Sequence, residues 1–146
     1  QRLAKRLCAK CKQPHVATEE ELRALLDEYV LELTNMESWK KDPEGSKQAQ
    51  FTEWIKEFGN DKGEITLYSP AGCDTCGGSG YKGRVGLHEL LMGTDRIKKN
   101  IQEHARVAEM LATALETGMR TLKQDGIEKV LLGITDIHQV RAVCIK

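Results

Sequence analysis

The residues best suited to chemistry in this sequence are two pairs of cysteines. They are Cys8-Ala-Lys-Cys11 and Cys73-Asp-Thr-Cys76, with 61 residues between the pairs. A two-residue gap lets both sulfurs of a pair face one ion from a tight turn. Two such turns supply a tetrahedral set of four thiolates at about 2.3 Å from zinc. Cys8, Cys11, Cys73 and Cys76 are therefore the expected ligands of one zinc ion per chain, and with no open ligand position that zinc is structural. Gly77, directly after Cys76, suits such a turn. Glycine permits the positive φ that swings backbone amides toward sulfur, and those N–H groups orient the ligands and spread their charge. Four thiolates on Zn²⁺ carry about −2. Lys5, Arg6, Lys10 and Lys12 stand beside the first pair and either offset that charge or form an ordinary solvated basic surface. The same four ligands suit iron. Two other readings compete, unrelated reduced thiols and a redox dithiol; the latter lacks the strand–CxxC–helix context of thioredoxin-type proteins. Cys144 stands apart on the apolar side of the last expected helix and reads as a buried inert thiol.

Other chemistries fare worse. The glycines of "GCDTCGGSGY" suggest a phosphate cradle, but no GxxxxGK[ST] pattern occurs anywhere in the chain. His15, His88, His104 and His138 form no HxxxH or HExxH array. His15 is near enough to the first pair to serve as a substitute ligand, and His88 is expected to face solvent. No nucleophile–base pair is legible, so no catalytic and no cofactor-binding residue is assigned, and the stretch in hand is not expected to be an enzyme by itself. The 22 basic and 22 acidic residues among 146 leave no overall basic excess of the kind nucleic-acid binders carry. No apolar run approaches the ~18 residues of a membrane span, and the first residues carry no signal-peptide pattern. An odd count of five cysteines without an export signal points to a reducing compartment rather than a disulfide framework.

The elements that must position the cysteines follow from periodicity. Residues 2–7 read as a short basic helix with Leu3 and Leu7 on one face, and Cys8 to Pro14 as a turn. Thr18 and Glu21 form a capping box ahead of Leu22, Leu25, Leu26, Tyr29, Val30 and Leu33 at helical spacing. "KKDPEGSK" reads as an exposed loop. Phe51, Trp54, Ile55 and Phe58 mark a second amphipathic helix, stopped at Gly59 and Asn60. "EITLYSP" and "GRVGLHELLMG" read as two strands able to pair as a hairpin around the second cysteine pair. From Thr94 onward, four helices are expected. Ile97 and Ile101 mark the first, and Val107 to Leu115 the second, closed by Gly118. Leu122 to Leu131 mark the third, closed by Gly133, and Ile137, Val140 and Val143 the last, capped by Thr135. The expected fold class is α+β: a small tetracysteine zinc-binding subdomain with a β-hairpin and helices, then a C-terminal helical bundle. The expected divisions are 1–7, 8–93 with a helical insertion at about 18–60, and 94–146.

"QRLAKRLCAKCKQPH", "GCDTCGGSGYKGRVGLHELL" and "GMRTLKQDGIEKVLLGITDIHQV", in that order, resemble the C-terminal end of the ATPases that drive type II secretion and type IV pilus assembly. The resemblance covers about 1–15 and 65–146. It implies a parent that forms hexameric rings on the cytoplasmic face of the inner membrane. There ATP hydrolysis powers pilus or pseudopilus assembly through a membrane platform protein. The expected partners are the rest of the ATPase core, neighbouring subunits and that platform protein, with no nucleic acid and no transmembrane segment. The family's Walker A loop, acidic boxes and histidine box lie upstream of the tetracysteine element, so ATP and Mg²⁺ belong to that core alone. Because Gln1 is an unnatural start, the sequence reads as an excised piece, with 1–7 as the tail of the core. The family cysteines map onto Cys8, Cys11, Cys73 and Cys76, and its following motif onto Gly80, Tyr81, Gly83, Arg84 and the acidic Glu89. Arg84 and Glu89 fall on opposite faces of a regular strand, so each is assigned a structural or inter-subunit role. The segment from Asn35 to Asp61, with Trp39 and Trp54, is longer than the family pattern leads one to expect; Trp54 is expected to pack, and Trp39 is the weaker candidate for a partner contact. Two alternatives remain. One is a chaperone-type zinc module, since "CDTCGGSG" fits the CxxCxGxG repeat of J-domain co-chaperones. The other is a CxxC thiol redox protein.

Overall fold

The computed structural model describes residues 1–31, 33–89 and 93–144. It is an α+β fold of four strands and seven helices among the described residues. The chain runs β1 (Arg2–Leu7), β2 (Gln13–Val16), α1 (Glu19–Val30), a 3-10 turn at Leu33–Asn35, α2 (Glu37–Lys40), α3 (Pro43–Phe58), β3 (Thr66–Ser69), β4 (Tyr81–Leu87), α4 (Asp95–Gln102), α5 (Val107–Glu116), α6 (Leu122–Leu131) and α7 (Ile137–Val143).

The strands form two separate antiparallel ribbons. β1 pairs with β4, and β2 pairs with β3. Two expectations are thereby corrected. Residues 2–7 are a strand rather than a helix: Ala4 and Leu7 are buried, whereas Leu3 is 53% exposed. Six residues cannot sustain a helix alone, and pairing with a distant strand decides the conformation. The strands β3 and β4 do not form a hairpin with each other, because each is matched to a strand beside the first cysteine pair. The end of the second expected strand, residues 90–92, lies outside the described residues.

Helix α1 starts as expected, with Thr18 and Glu21 completing a capping box. Its apolar face, Leu22, Leu25, Leu26, Tyr29 and Val30, is buried. "KKDPEGSK" is not a loop throughout. The Asp42 side chain accepts from the Gly45 amide, and Pro43 occupies the first helical position of α3, where its missing N–H costs nothing. Trp54 of α3 is 1% exposed and meets Tyr29 edge-on, with ring centroids 5.2 Å apart. Trp39 is half-buried and packs against the same core.

The four later helices lie where periodicity puts them. Thr94 caps α4, and a Thr121–Gln124 capping box starts α6. The cap of α7 is Asp136, not Thr135: the Asp136 carboxylate accepts from the Gln139 amide, while the Thr135 hydroxyl donates to the Lys5 carbonyl at 2.8 Å. Helix α6 packs on α1, β3 and β4, and α7 packs on β1 as well as on α6. Ile127, Val130, Leu131 and Val140 thus complete a core begun by α1, Trp54, Ile65 and Leu67.

Candidate metal centre

Each cysteine pair sits in a turn between two strands. Cys8 and Cys11 link β1 to β2, and Cys73 and Cys76 lie between β3 and β4. Because β1 pairs with β4 and β2 with β3, the two turns are clamped face to face from both sides. In the first turn the amides of Cys11 and Lys12 both donate to the Cys8 carbonyl, at 3.3 and 3.0 Å. In the second, the Gly78 amide donates to the Cys73 carbonyl at 2.8 Å.

The result gathers the four sulfurs. Cys8–Cys73, Cys11–Cys76 and Cys73–Cys76 sulfur pairs are each 3.8 Å apart, and all four sulfurs lie within 4.8 Å of one another. Four sulfurs each ~2.3 Å from a tetrahedral zinc stand about 3.8 Å apart, so the residues fit the ion in both donor chemistry and spacing. All five cysteines are free. Cys144 lies outside the cluster, half-buried against the core, and burial pushes its thiol up.

Backbone amides face the sulfurs. Gly72 donates to Cys11 Sγ at 3.2 Å, Cys73 to Cys76 Sγ at 3.2 Å, and Gly80 to Cys76 Sγ at 3.1 Å. Burial raises the Cys76 thiol, but the Cys73 and Gly80 amides outweigh it and bring it down to about 6. Backbone donation likewise lowers Cys73. Burial dominates at Cys11 and pushes it up to about 11. The second turn thus offers the readier thiolates. Gly77 does take a positive φ, 67°, but the glycines that donate to sulfur are Gly72 and Gly80. Gly80 joins the two halves directly: its carbonyl accepts from the Cys8 amide at 2.9 Å while its own amide donates to Cys76.

The remaining expected positions have other work. His15 Nε2 lies 2.9 Å from Glu21 Oε2 on α1 and is not part of the sulfur cluster. His88, His104 and His138 are exposed. Lys12 Nζ donates to the Gly133 carbonyl at 2.8 Å and lies 4.3 Å from the Tyr68 ring centroid. Among the described residues Arg84 and Glu89 form no ion pair; Arg84 is exposed opposite Lys5, and Glu89 accepts from the Leu122 amide at the start of α6.

Sequence reasoning missed the link from the cysteine turns to the C-terminal helices. The Tyr81 hydroxyl donates to Asp136 Oδ2, the other carboxylate oxygen of the α7 cap. Burial and that contact push the Tyr81 hydroxyl up to about 12. The Leu7 amide donates to the Ile134 carbonyl at 2.9 Å. The available signal was "GITD", a helix stop followed at once by a cap, which forces a tight turn.

Fold and site together define a cluster of four cysteine sulfurs, clasped between two β-ribbons, that could hold a metal ion. Residues 1–142 match the family described as "Type II/IV secretion system protein", and the chain belongs to that family. A type IV pilus assembly ATPase PilB of Acinetobacter baylyi is 34% identical over 143 residues, 98% of this chain and 20% of the relative. A type II secretion system protein E of Dickeya dadantii is 34% identical over 140 residues, 96% of this chain and 21% of the relative. A PilB of Thermus thermophilus is 41% identical over 93 residues, 62% of this chain and 10% of the relative. The chain therefore spans 10–21% of the length of these curated relatives. Among the described residues, no helix is long and apolar enough to cross a membrane.

Proposed function

We propose that these residues form a non-catalytic, zinc-stapled region of a hexameric ATPase that powers type II secretion or type IV pilus assembly. The observation that carries this reading is the closed cluster of four sulfurs within 4.8 Å. A closed tetrathiolate has no position for substrate or water, so the metal would be structural, and its binding free energy would be folding free energy. The ligands would be Cys8, Cys11, Cys73 and Cys76, with one zinc per chain. The region would brace the ATPase core and contact neighbouring subunits or a membrane platform protein on the cytoplasmic side of the inner membrane. ATP and Mg²⁺ chemistry would lie in the part of the parent that precedes these residues. Family membership and the similarity to relatives that include ATPases of pilus assembly and components of type II secretion support the parent assignment.

Metal analysis of freshly purified, reduced protein tests the first part, with about one zinc per chain expected. A zinc content near zero, or no loss of folded signal on full chelation, would refute it. Robust ATP turnover by these residues alone would refute the non-catalytic reading.

A further inference from the structure

Positive charge is concentrated on the β1–β4 ribbon and first cysteine turn beyond what the metal calls for. Residues 1–12 carry five basic side chains and no acidic one, and Tyr81–Leu87 carry two more, in a chain of zero formal net charge. Lys5 and Arg84 stand directly opposite each other across the ribbon, and like charges so placed are destabilising. A tetrathiolate zinc supplies only about −2 to offset them.

Four of these cations, Arg6, Lys10, Lys12 and Lys82, line one concavity of about 310 Å³. It lies between the first cysteine turn, Thr75 of the second, and the Gly133–Ile134 turn, and among the described residues no carboxylate lines it. A bulge makes the convergence. Between the Lys5–Arg84 and Leu7–Tyr81 pairs, β1 has only Arg6, whereas β4 has Lys82 and Gly83. An extra residue breaks the strict alternation of faces and re-aims side chains. Gly83 takes φ 82°, and a Cβ there would stand 3.6 Å from Arg6 Cδ, so the Arg6 stem runs over the glycine. Lys12 is fixed by Gly133 and Tyr68, and Lys82 Nζ reaches the Thr75 carbonyl at 3.4 Å. Arg6 and Lys10 are exposed.

We propose that this concavity is a binding site for a small, soluble anion bearing a phosphoryl or diphosphoryl group. Its volume is at the lower end of the ~300–1,000 Å³ typical of ligand sites, which suits a compact polyanion rather than a nucleobase-sized body. An arginine fork matches phosphate oxygens bidentately, and lysines add point charge. A monovalent carboxylate would leave most of the converging charge unmatched. The site is independent of the zinc assignment's functional reading, since it rests on the cations and the bulge.

The test is calorimetric and amide-shift titration of the zinc-loaded chain with inorganic pyrophosphate, and with acetate for comparison. Saturable one-to-one binding of pyrophosphate is expected, weakened by salt, with shifts confined to residues 6–12, 75–83 and 133–134 and little response to acetate. Arg6→Gln/Lys10→Gln should weaken pyrophosphate about tenfold or more, while Lys62→Gln/Lys98→Gln on distant exposed positions should not. Lys82→Gln provides a second variant should the double one fold poorly. Lack of saturable binding, or equal loss in the distant control, would overturn the proposal. So would an Arg6/Lys10 variant that binds pyrophosphate normally yet surrenders zinc faster to a chelator, since the cations would then serve the metal alone.

Discussion

Among the positive-φ glycines, Gly80 is the one where an added Cβ would meet its neighbour most closely. It has φ 83°, and a Cβ there would stand 2.5 Å from Pro70 Cβ and 3.1 Å from Pro70 Cα. Gly77 provides the control: φ is 67°, and a Cβ would meet nothing within 4 Å. Both Gly→Ala changes place a side chain in the left-handed region, at about 1–2 kcal/mol. Both also reduce unfolded-chain entropy equally, so that contribution cancels in the comparison. Gly80→Ala must in addition displace a rigid proline ring, which at the usual cost of overpacking adds about 1–3 kcal/mol. The expected losses are therefore about 1–2 kcal/mol for Gly77→Ala and about 2–5 kcal/mol for Gly80→Ala. At roughly 3 °C per kcal/mol for a chain of this size, thermal melts of the zinc-loaded proteins should separate them by several degrees. Chelator competition supplies the second readout. Gly80 donates to Cys76 Sγ and accepts from the Cys8 amide, so Gly80→Ala should release metal faster, while Gly77→Ala should release it at a rate near the parent's. Equal melting shifts for the two variants, or unchanged metal release from Gly80→Ala, would refute the claim that the two cysteine turns are coupled through this residue.

Two further outcomes follow from the core. Burial, followed by the Glu128 carboxylate, raises the Tyr29 hydroxyl from 10.0 to about 12, and burial, followed by Asp136, raises Tyr81 equally far, to about 12. The folded state holds the protonated form, so this stability is fully present below pH 10 and is lost as pH rises through about 12. Melting temperature should fall across that window, Tyr29→Phe should flatten part of the fall, and an unchanged profile in that variant would remove Tyr29 as a cause. Trp54→Ala should cost about 3–5 kcal/mol in denaturant unfolding, because the indole is 1% exposed; Trp39→Ala, from a half-buried position, should cost distinctly less, and equal costs would contradict the packing of α3 on α1.

The local signals were legible, and the long-range ones were not. The cysteine spacing named all four members of the sulfur cluster. The Thr18–Glu21 box and the apolar period of α1 gave that helix its start and its buried face, because both are encoded within one or two turns. Strand partners have no such local code. Leu3 and Leu7 stand at helical spacing, yet β1 is extended because β4, over seventy residues away, offers it a ladder. "EITLYSP" was recognisable as a strand, but its partner is β2 beside the first cysteine pair, which no nearest-neighbour rule selects. "KKDPEGSK" reads as a loop because proline and glycine commonly break helices, whereas Asp42 followed by Pro43 is a helix start. The division of Asp136 between Gln139 and Tyr81 was hidden for the same reason as the strands: its second partner is 55 residues away.

The topology also explains how a four-cysteine cluster with so long a gap holds together. Closing a loop costs entropy that grows only logarithmically with length, so the 61 residues between the cysteine pairs are less of a burden than they look. Part of that closure is achieved without metal. The β2–β3 ladder sets Gln13 against Ser69, two residues past Cys11 and four before Cys73, while α1 and α3 fill the loop with their own core. The β1–β4 ladder then brings Leu7 against Tyr81 on the other side. A metal ion bound there would lock an arrangement that the two ribbons have already drafted. The turn after α6 reads that arrangement out: Lys12 binds the Gly133 carbonyl, Leu7 the Ile134 carbonyl, Thr135 the Lys5 carbonyl and Tyr81 the Asp136 carboxylate. Those contacts tie the start of α7 to β1, to β4 and to the first cysteine turn. A disturbance at the sulfurs would thus reach the start of α7 as well.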